Sequence, residues 1–381
     1  MPVYFDHNAT TPIDPRVRDA MWPWLGGVHG NPSSAHSAGR AAREAVEEAR
    51  AQVASLLSAK PEEIMFTSSG TEANNAVIFA NARRHGNRGH LLYSSLEHPS
   101  VRQAAAVLAD LGVESTEIHP GAEGVVTVED FVSSLRPDTR LACLMLANNE
   151  LGTRQPVAEV AGTCRERGIA LLSDAVQVVG KLPVHVGELG VDYLLLGGHK
   201  FHGPPGIAAL WTHPEAVPAS LLVGASQEHG LRAGTENVPG IVGLGVACAR
   251  AEEELAERER HLQQIRDRFE KGLAQIPGAV VHCAESLRLP NTSHVAFLGL
   301  SGHQLMLRLD EMGYCVSTGS ACHSGRPQPS RVLLAMGISE AEALASLRVS
   351  FGVPNTVGEV DAFLGVLAEL VPALQSEAEV A

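Results

Sequence analysis

The sequence predicts an α/β protein with a large, mostly parallel-sheet domain and a smaller α/β domain. Three features point there. Short apolar runs alternate with helical patterns, several gaps between runs are long enough for crossover helices, and the composition turns strongly charged near Ala251. At 381 residues and 45% hydrophobic, the chain can fill two cores.

Along the chain, the first strong element is a helix over Arg40–Leu57, with Val46, Val53, Leu56 and Leu57 on one face. Strands are expected at Ile64–Thr67, His90–Ser94, Leu141–Ala147, Ile169–Ser173 and Tyr193–Leu196, with a crossover helix over Val157–Arg167. Ala251–Lys271 reads as a charged helix striped by Leu255, Leu262, Ile265 and Phe269. It either bridges two domains or lies on the surface. A last helix presents Val360, Phe363, Leu364, Leu367 and Val371. Residues 15–250 are assigned to the large domain, and residues 1–14 with 251–381 to the smaller one. There is no internal repeat and no low-complexity linker.

Charge and composition exclude several classes. A net charge of −14 without a basic run argues against a nucleic-acid partner. Met1–Pro12 lacks the basic and apolar segments of a signal peptide, and no apolar stretch nears the ~20 residues that span a bilayer. Cys143, Cys164, Cys248, Cys283, Cys315 and Cys322 are scattered without a C-x-x-C pair, so reduced thiols and a cytoplasmic location are expected. His199 and His202 lack carboxylate or cysteine partners at ligand spacing, and no metal site is expected.

Chemistry concentrates where the expected strands end, which is where open α/β sheets bind ligands. The five runs are followed in turn by Ser68-Ser69-Gly70-Thr71, Glu97-His98, Asn148-Asn149-Glu150, Asp174 with Gln177, and Gly197-Gly198-His199-Lys200. Ser68–Thr71 opens a helix, either as an ordinary N-cap or as a phosphate cradle. A carboxylate at a buried strand end needs a cationic partner, and the pyridinium nitrogen of pyridoxal 5′-phosphate would give Asp174 one. The same cofactor needs a desolvated lysine for a Schiff base. Lys200 fits, between an apolar run and the Phe201–Gly206 turn, whereas Lys60, Lys181 and Lys271 lie in polar or helical contexts.

These motifs, with Ser69-Gly70-Thr71-Glu72, Asn149-Glu150-Leu151-Gly152, Arg232-Ala233-Gly234-Thr235 and Gly319-Ser320-Ala321-Cys322, resemble the cysteine desulfurases. Asp6-His7-Asn8-Ala9-Thr10-Thr11-Pro12 and Gly30-Asn31-Pro32-Ser33-Ser34 extend the resemblance, which runs from about residue 5 to 352 in matching order. It implies the aspartate-aminotransferase-like fold type I of pyridoxal-phosphate-dependent transferases, a homodimer with its site at the subunit interface, and L-cysteine as substrate. It also implies a sulfur-accepting or scaffold protein as partner.

The resemblance assigns roles residue by residue. Lys200 would carry the cofactor and act as base at the substrate α-carbon. His98 would stack on the ring and move protons, its ordinary pKa of about 6.5 suiting both tasks. Asp174 would pair with the ring nitrogen, and Gln177 would bond the ring hydroxyl. Asn149 would orient ring or substrate. Gly70, Thr71 and His199 would hold the phosphate with Thr235 of the other subunit. Arg348 would take the substrate carboxylate through its planar fork.

Cys322 carries the distinctive step. It lies among small residues in Ser317–Arg326, beside His323 and Arg326, a setting that favours thiolate. It would take the substrate sulfur as a persulfide and leave alanine, on a segment whose glycines and serines suit a swing to an acceptor. Two positions depart from the family pattern. Gly197 stands where many desulfurases have a phosphate-binding serine, and Gly352-Val353-Pro354 replaces a commoner Gly-Arg pair. Asn8–Thr11, Gly234–Asn237, Leu289–Thr292 and Ala321–Ser324 also resemble selenocysteine lyases. An ordinary aminotransferase would share Lys200 and Asp174 but would have no use for Cys322.

Overall fold

Near-continuous apolar runs such as Leu91-Leu92-Tyr93 and Leu194-Leu195-Leu196 are what a sheet covered on both faces requires, and such a sheet forms the centre of the molecule. The computed structural model describes residues 2–318 and 328–380. Its strands are β1 (Val3–Tyr4), β2 (Ile64–Thr67), β3 (His90–Ser94), β4 (Glu114–Ile118), β5 (Thr139–Cys143), β6 (Ala170–Asp174), β7 (Tyr193–Gly197), β8 (Ala208–Thr212), β9 (Ala279–Val281), β10 (Thr292–Phe297), β11 (Tyr314–Cys315) and β12 (Ser346–Ser350). The main sheet has the order β2-β8-β7-β6-β5-β3-β4. Only β8 runs against the others, pairing antiparallel with β7 and β2.

Two separate apolar clusters cover the faces of this sheet. A third cluster lies around the antiparallel sheet β12-β10-β9 and takes in Phe5, Phe269, Phe297, Phe351 and Phe363. One helix joins two of these cores. Val238–Leu273 is continuous over 36 residues; Ile241, Leu244 and Ala247 belong to a main-sheet cluster, whereas Leu262, Ile265 and Phe269 belong to the third. The expected boundary at 250–251 therefore falls inside a helix.

The sequence missed the first half of that helix because it is glycine-rich, and packing explains the glycines. A Cβ on Gly243 would lie 2.6 Å from the sulfur of Met21, and one on Gly245 would lie 2.6 Å from Ala49. The helix over Ser37–Leu56 starts three residues before the expected point, because the His36 ring caps it by accepting from Gly39 N–H at 3.3 Å. Strand β4 escaped notice as a polar, half-exposed edge strand, and β8 because its Ala-Ala-Leu-Trp-Thr carries few β-branched residues. The run after β5 leaves the regular ladder at Leu144, although Leu146 N–H still donates to Asp174 O at 2.9 Å.

Candidate active site

Apolar strands bring their carboxyl ends to one edge of the main sheet, and the polar residues that follow line a cavity of about 530 Å³. Gly70, Thr71, His98, Asn149, Asp174, Gln177, His199, Lys200 and Arg348 all lie on its wall. Thr235 does not; it is exposed on the Arg232–Asn237 loop. Cys322 lies outside the described residues.

Ser69 caps the helix Gly70–Arg84, its Oγ accepting from Glu72 N–H at 3.1 Å. A Cβ on Gly70 would come within 3.1 Å of Leu195, so backbone alone forms this part of the wall. The unpaired N–H groups of such a helix start suit an anion. Glu72 is pushed up by burial, but hydrogen bonds from Arg232 and Ser68 outweigh that and hold its carboxyl low.

Asp174 is the last residue of β6, one position beyond the expected end, and is 7% exposed. Its oxygens accept from Val176 N–H at 2.9 Å and Asn74 Nδ2 at 3.2 Å, both neutral donors. Burial therefore raises its pKa, against those hydrogen bonds and the lowering influence of the basic neighbours His98 and Lys200. A buried carboxylate served only by neutral donors is matched by a protonated ring nitrogen. With the helix start and Lys200 on the same wall, the donor set fits pyridoxal phosphate.

Lys200 Nζ donates to the carbonyl oxygens of Asn8 at 2.7 Å and Ala9 at 2.6 Å. Burial, helped by the Arg348 charge, pushes its pKa down to about 8, so roughly a tenth of the amine is neutral at pH 7. His98 caps the helix Pro99–Asp110, its Nδ1 accepting from Ser100 N–H at 3.2 Å. The expectation of an ordinary imidazole needs correction. Burial lowers the His98 pKa, opposed by Asp174 and aided by Lys200, so the ring is neutral at pH 7. Burial and Lys200 likewise take His199 to about 4.

Arg348 sits mid-strand in β12, and it is not free. Nη1 donates to Asn149 O at 3.1 Å and Nη2 to Asp6 Oδ1 at 2.7 Å. The remaining N–H groups are what it can offer an incoming carboxylate.

Three residues of this neighbourhood were not singled out from the sequence. Asn8 is a hub. Its carbonyl accepts from Gln177 Nε2 at 3.0 Å and from Lys200, and its side chain bonds Lys181, Asn291, Thr292 and Asn149 O. Glu97, 8% exposed, accepts from Met145 N–H at 2.6 Å. Burial pushes it up to about 8, so it is a neutral acid at pH 7. Lys181 was read as lying in a polar or helical setting, whereas the structure buries it in a turn: it is 4% exposed and its Nζ donates to Asn8 Oδ1 and Gln177 Oε1. Asn8 lay within a quoted motif and Glu97 beside His98. The signal for Lys181 was its place four residues after Gln177 in an otherwise apolar run.

The class-V aminotransferase family model matches residues 3–363. A cysteine desulfurase of Trichormus azollae is 41% identical over 378 residues, covering 98% of this chain and 94% of the relative. The cysteine desulfurase IscS of Methanosarcina thermophila is 40% identical over 375 residues, covering 98% and 93%. The solved structure of a NifS-like protein superposes with a TM-score of 0.92 at 36% identity, covering 98% of this chain and all of the other.

Proposed function

The chain belongs to the class-V aminotransferase family, among the cysteine desulfurases, and from that premise we propose that it uses pyridoxal phosphate to convert L-cysteine to L-alanine while passing the sulfur to its own Cys322. The observation that carries this reading is the meeting of Lys200, Asp174, His98 and Arg348 on one cavity. When bound, pyridoxal phosphate supplies a sink for the electron pair at the substrate α-carbon.

The chain's own residues do the rest. Asp174 would hold the ring nitrogen, Gln177 the ring oxygen, and Gly70, Thr71 and His199 the phosphate. Asn149 would orient ring or substrate. Arg348 would fix the substrate carboxylate with the N–H groups that Asp6 and Asn149 leave over. Lys200, partly neutral near pH 7, would tether the cofactor and accept the α-proton. His98, neutral with Nδ1 accepting from Ser100 N–H and so protonated on Nε2, would donate a proton through Nε2. The thiolate Sγ of Cys322 would attack the substrate sulfur. An S–S bond forms, the C–S bond breaks with its electron pair left on carbon, and a proton completes alanine. The sulfur then resides on the enzyme as a persulfide, and no outside oxidant is needed.

The reading extends to assembly and location. Thr235, exposed and away from the cavity of its own subunit, would complete the phosphate site of a second copy in a homodimer. A sulfur-accepting protein would then take the persulfide. Cys143, Cys164, Cys248, Cys283 and Cys315 are free thiols, in keeping with a reducing cytoplasm.

The test is Cys322→Ser, read as alanine and sulfide released from L-cysteine and as alanine and selenide from L-selenocysteine. A hydroxyl is a far weaker nucleophile than a thiolate. Sulfur release should collapse while the fold and the cofactor's absorption are kept, and selenocysteine cleavage should fall less. Sulfur release near the parent rate would sink the persulfide route. A parent enzyme that prefers selenocysteine and barely turns over cysteine would favour the lyase instead.

A further inference from the structure

Behind the cavity wall lies a buried amine that the reaction itself does not use. Lys181 Nζ donates to Asn8 Oδ1 at 3.1 Å and to Gln177 Oε1 at 3.0 Å. No carboxylate serves it among the described residues. The charged and titratable groups that face it are Lys200, Arg348, His7, His202 and Arg258, all basic. Two acceptors satisfy the two N–H groups of a neutral amine, whereas an ammonium would keep a third proton without a partner. Burial together with the Lys200 and Arg348 charges drives its pKa far down, in agreement with that geometry.

We propose that Lys181 is a positioning residue that sets which way the Gln177 amide faces, so that an N–H donor and not a carbonyl is turned to the cofactor's ring oxygen. The Asn8 carbonyl can only accept and so draws the Gln177 amide nitrogen, and Lys181 Nζ offers an N–H on the other side, so Gln177 Oε1 faces the amine. The amide nitrogen is thereby turned the other way, where one N–H goes to Asn8 O at 3.0 Å and the second is left for the cavity that Gln177 lines. Asn8 is held by the same amine, and its carbonyl supports Lys200 Nζ at 2.7 Å. Replace Lys181 with an apolar residue and Gln177 Oε1 becomes a buried acceptor without a donor, a state that the amide relieves by rotating. The inference rests on reading Gln177 as the donor to the ring oxygen.

The holoenzyme tests it by pH titration of the cofactor's visible absorption, a signal that separates ring-oxygen hydrogen bonding from general loss of activity. A donor stabilises the deprotonated oxygen, so losing it moves the midpoint upward. Lys181→Met should raise the midpoint by about one pH unit, equivalent to about 1.4 kcal/mol. Lys181→Gln, which keeps N–H groups, should raise it less. Gln177→Leu should raise it as much as Lys181→Met, and in that background neither Lys181 substitution should shift it further. If Lys181→Met fails to fold, the Lys181→Gln shift and its disappearance beside Gln177→Leu carry the test. A Gln177→Leu shift with no shift from either Lys181 variant overturns the positioning role alone. Absence of a shift in Gln177→Leu overturns the reading of Gln177 and the inference with it. Equal shifts from Lys181→Met with and without Gln177 show that the amine acts by another route and overturn it too.

Discussion

Two buried charged regions of the molecule are built on opposite rules. Arg50 and Glu228, each 3% exposed at the side chain, meet in a two-pronged ion pair with both N···O distances at 2.8 Å. Arg50 also donates to Ile64 O and lies over the Phe66 ring, while Glu228 accepts from Phe66 N–H. On the cavity wall and behind it, Asp174, Glu97, Lys200 and Lys181 are held chiefly by neutral backbone and amide groups. Their pKa values are pushed toward the neutral form. Charges that hold a fold together come with their counter-charge, whereas charges reserved for a ligand are kept without one.

The sharpest way to break this contrast is to remove one member from each region. Arg50→Met should strand the Glu228 carboxylate in the interior and cost about 3–5 kcal/mol of stability, read as a lower urea midpoint. Asp174→Asn should do the reverse. The amide oxygen keeps the Val176 N–H, and Asn74 can turn its unpaired Oδ1 to the new N–H, with no charge to desolvate, so stability should hold or rise. Turnover of cysteine should nevertheless drop by about 10²-fold or more, as when a preorganised electrostatic partner is lost. A large stability loss in Asp174→Asn, or less than about 1 kcal/mol in Arg50→Met, would erase the distinction between the regions.

A smaller effect should appear in the pH dependence of stability of the cofactor-free protein. Glu97 titrates at about 8 in the folded state against 4.5 ordinarily. Between those values the unfolded chain has released a proton that the folded chain keeps, so stability falls as pH rises from about 4.5 to about 8. Lys200, at about 8 against 10.5, works the other way: above pH 8 the unfolded chain holds a proton that the folded chain has lost, and stability rises again. Lys181, neutral in the folded chain, adds a rising contribution over the same range, so Glu97 is read as a difference between the parent and Glu97→Gln. Relative to the parent, the urea midpoint of Glu97→Gln should climb steadily from about pH 4.5 to about pH 8 and then run parallel to it. A difference that stays constant across that range would mean that the buried acid does not titrate as its surroundings dictate.

The same contrast explains what could be read before the fold was known. Lys200 and Asp174 were legible because each lies just past an apolar run, and strand ends in an open sheet gather in one place; Gln177 and His98 lay in the same strand-end clusters. The roles of His98, Gln177 and Arg348 came through the family motifs. Lys181, Glu97 and Asn8 were not legible as parts of the site, since their character comes from neighbours distant in sequence. Asn8, for example, meets Lys200, Asn291 and Thr292 only through tertiary packing. The Arg50–Glu228 pair spans 178 positions and leaves no local trace. The helix over Val238–Leu273 was half hidden for the same reason, its glycines answering to Met21 and Ala49 and not to helix propensity.

The smallest expected effect sharpens the contrast at the departure from the family pattern, Gly197. This residue closes β7 in an extended conformation, φ −131° and ψ 121°, which any residue adopts. A Cβ there would meet Val176 at 3.6 Å and His199 at 3.9 Å, ordinary contacts that require nothing to move. The glycine is thus not demanded by the backbone, and a serine hydroxyl would stand beside the proposed phosphate cradle of Gly70, Thr71 and His199. Gly197→Ser should therefore leave stability within about 0.5 kcal/mol and slow the loss of pyridoxal phosphate. The gain should be roughly threefold to tenfold in affinity, the worth of one added hydrogen bond of about 0.5–1.5 kcal/mol. Dialysis followed by reading the retained cofactor absorbance measures it. Because a ligand-side change should act on binding and not on folding, a shift in the urea midpoint of the cofactor-free protein without any change in retention would place Gly197 with Arg50 and Glu228 on the structural side.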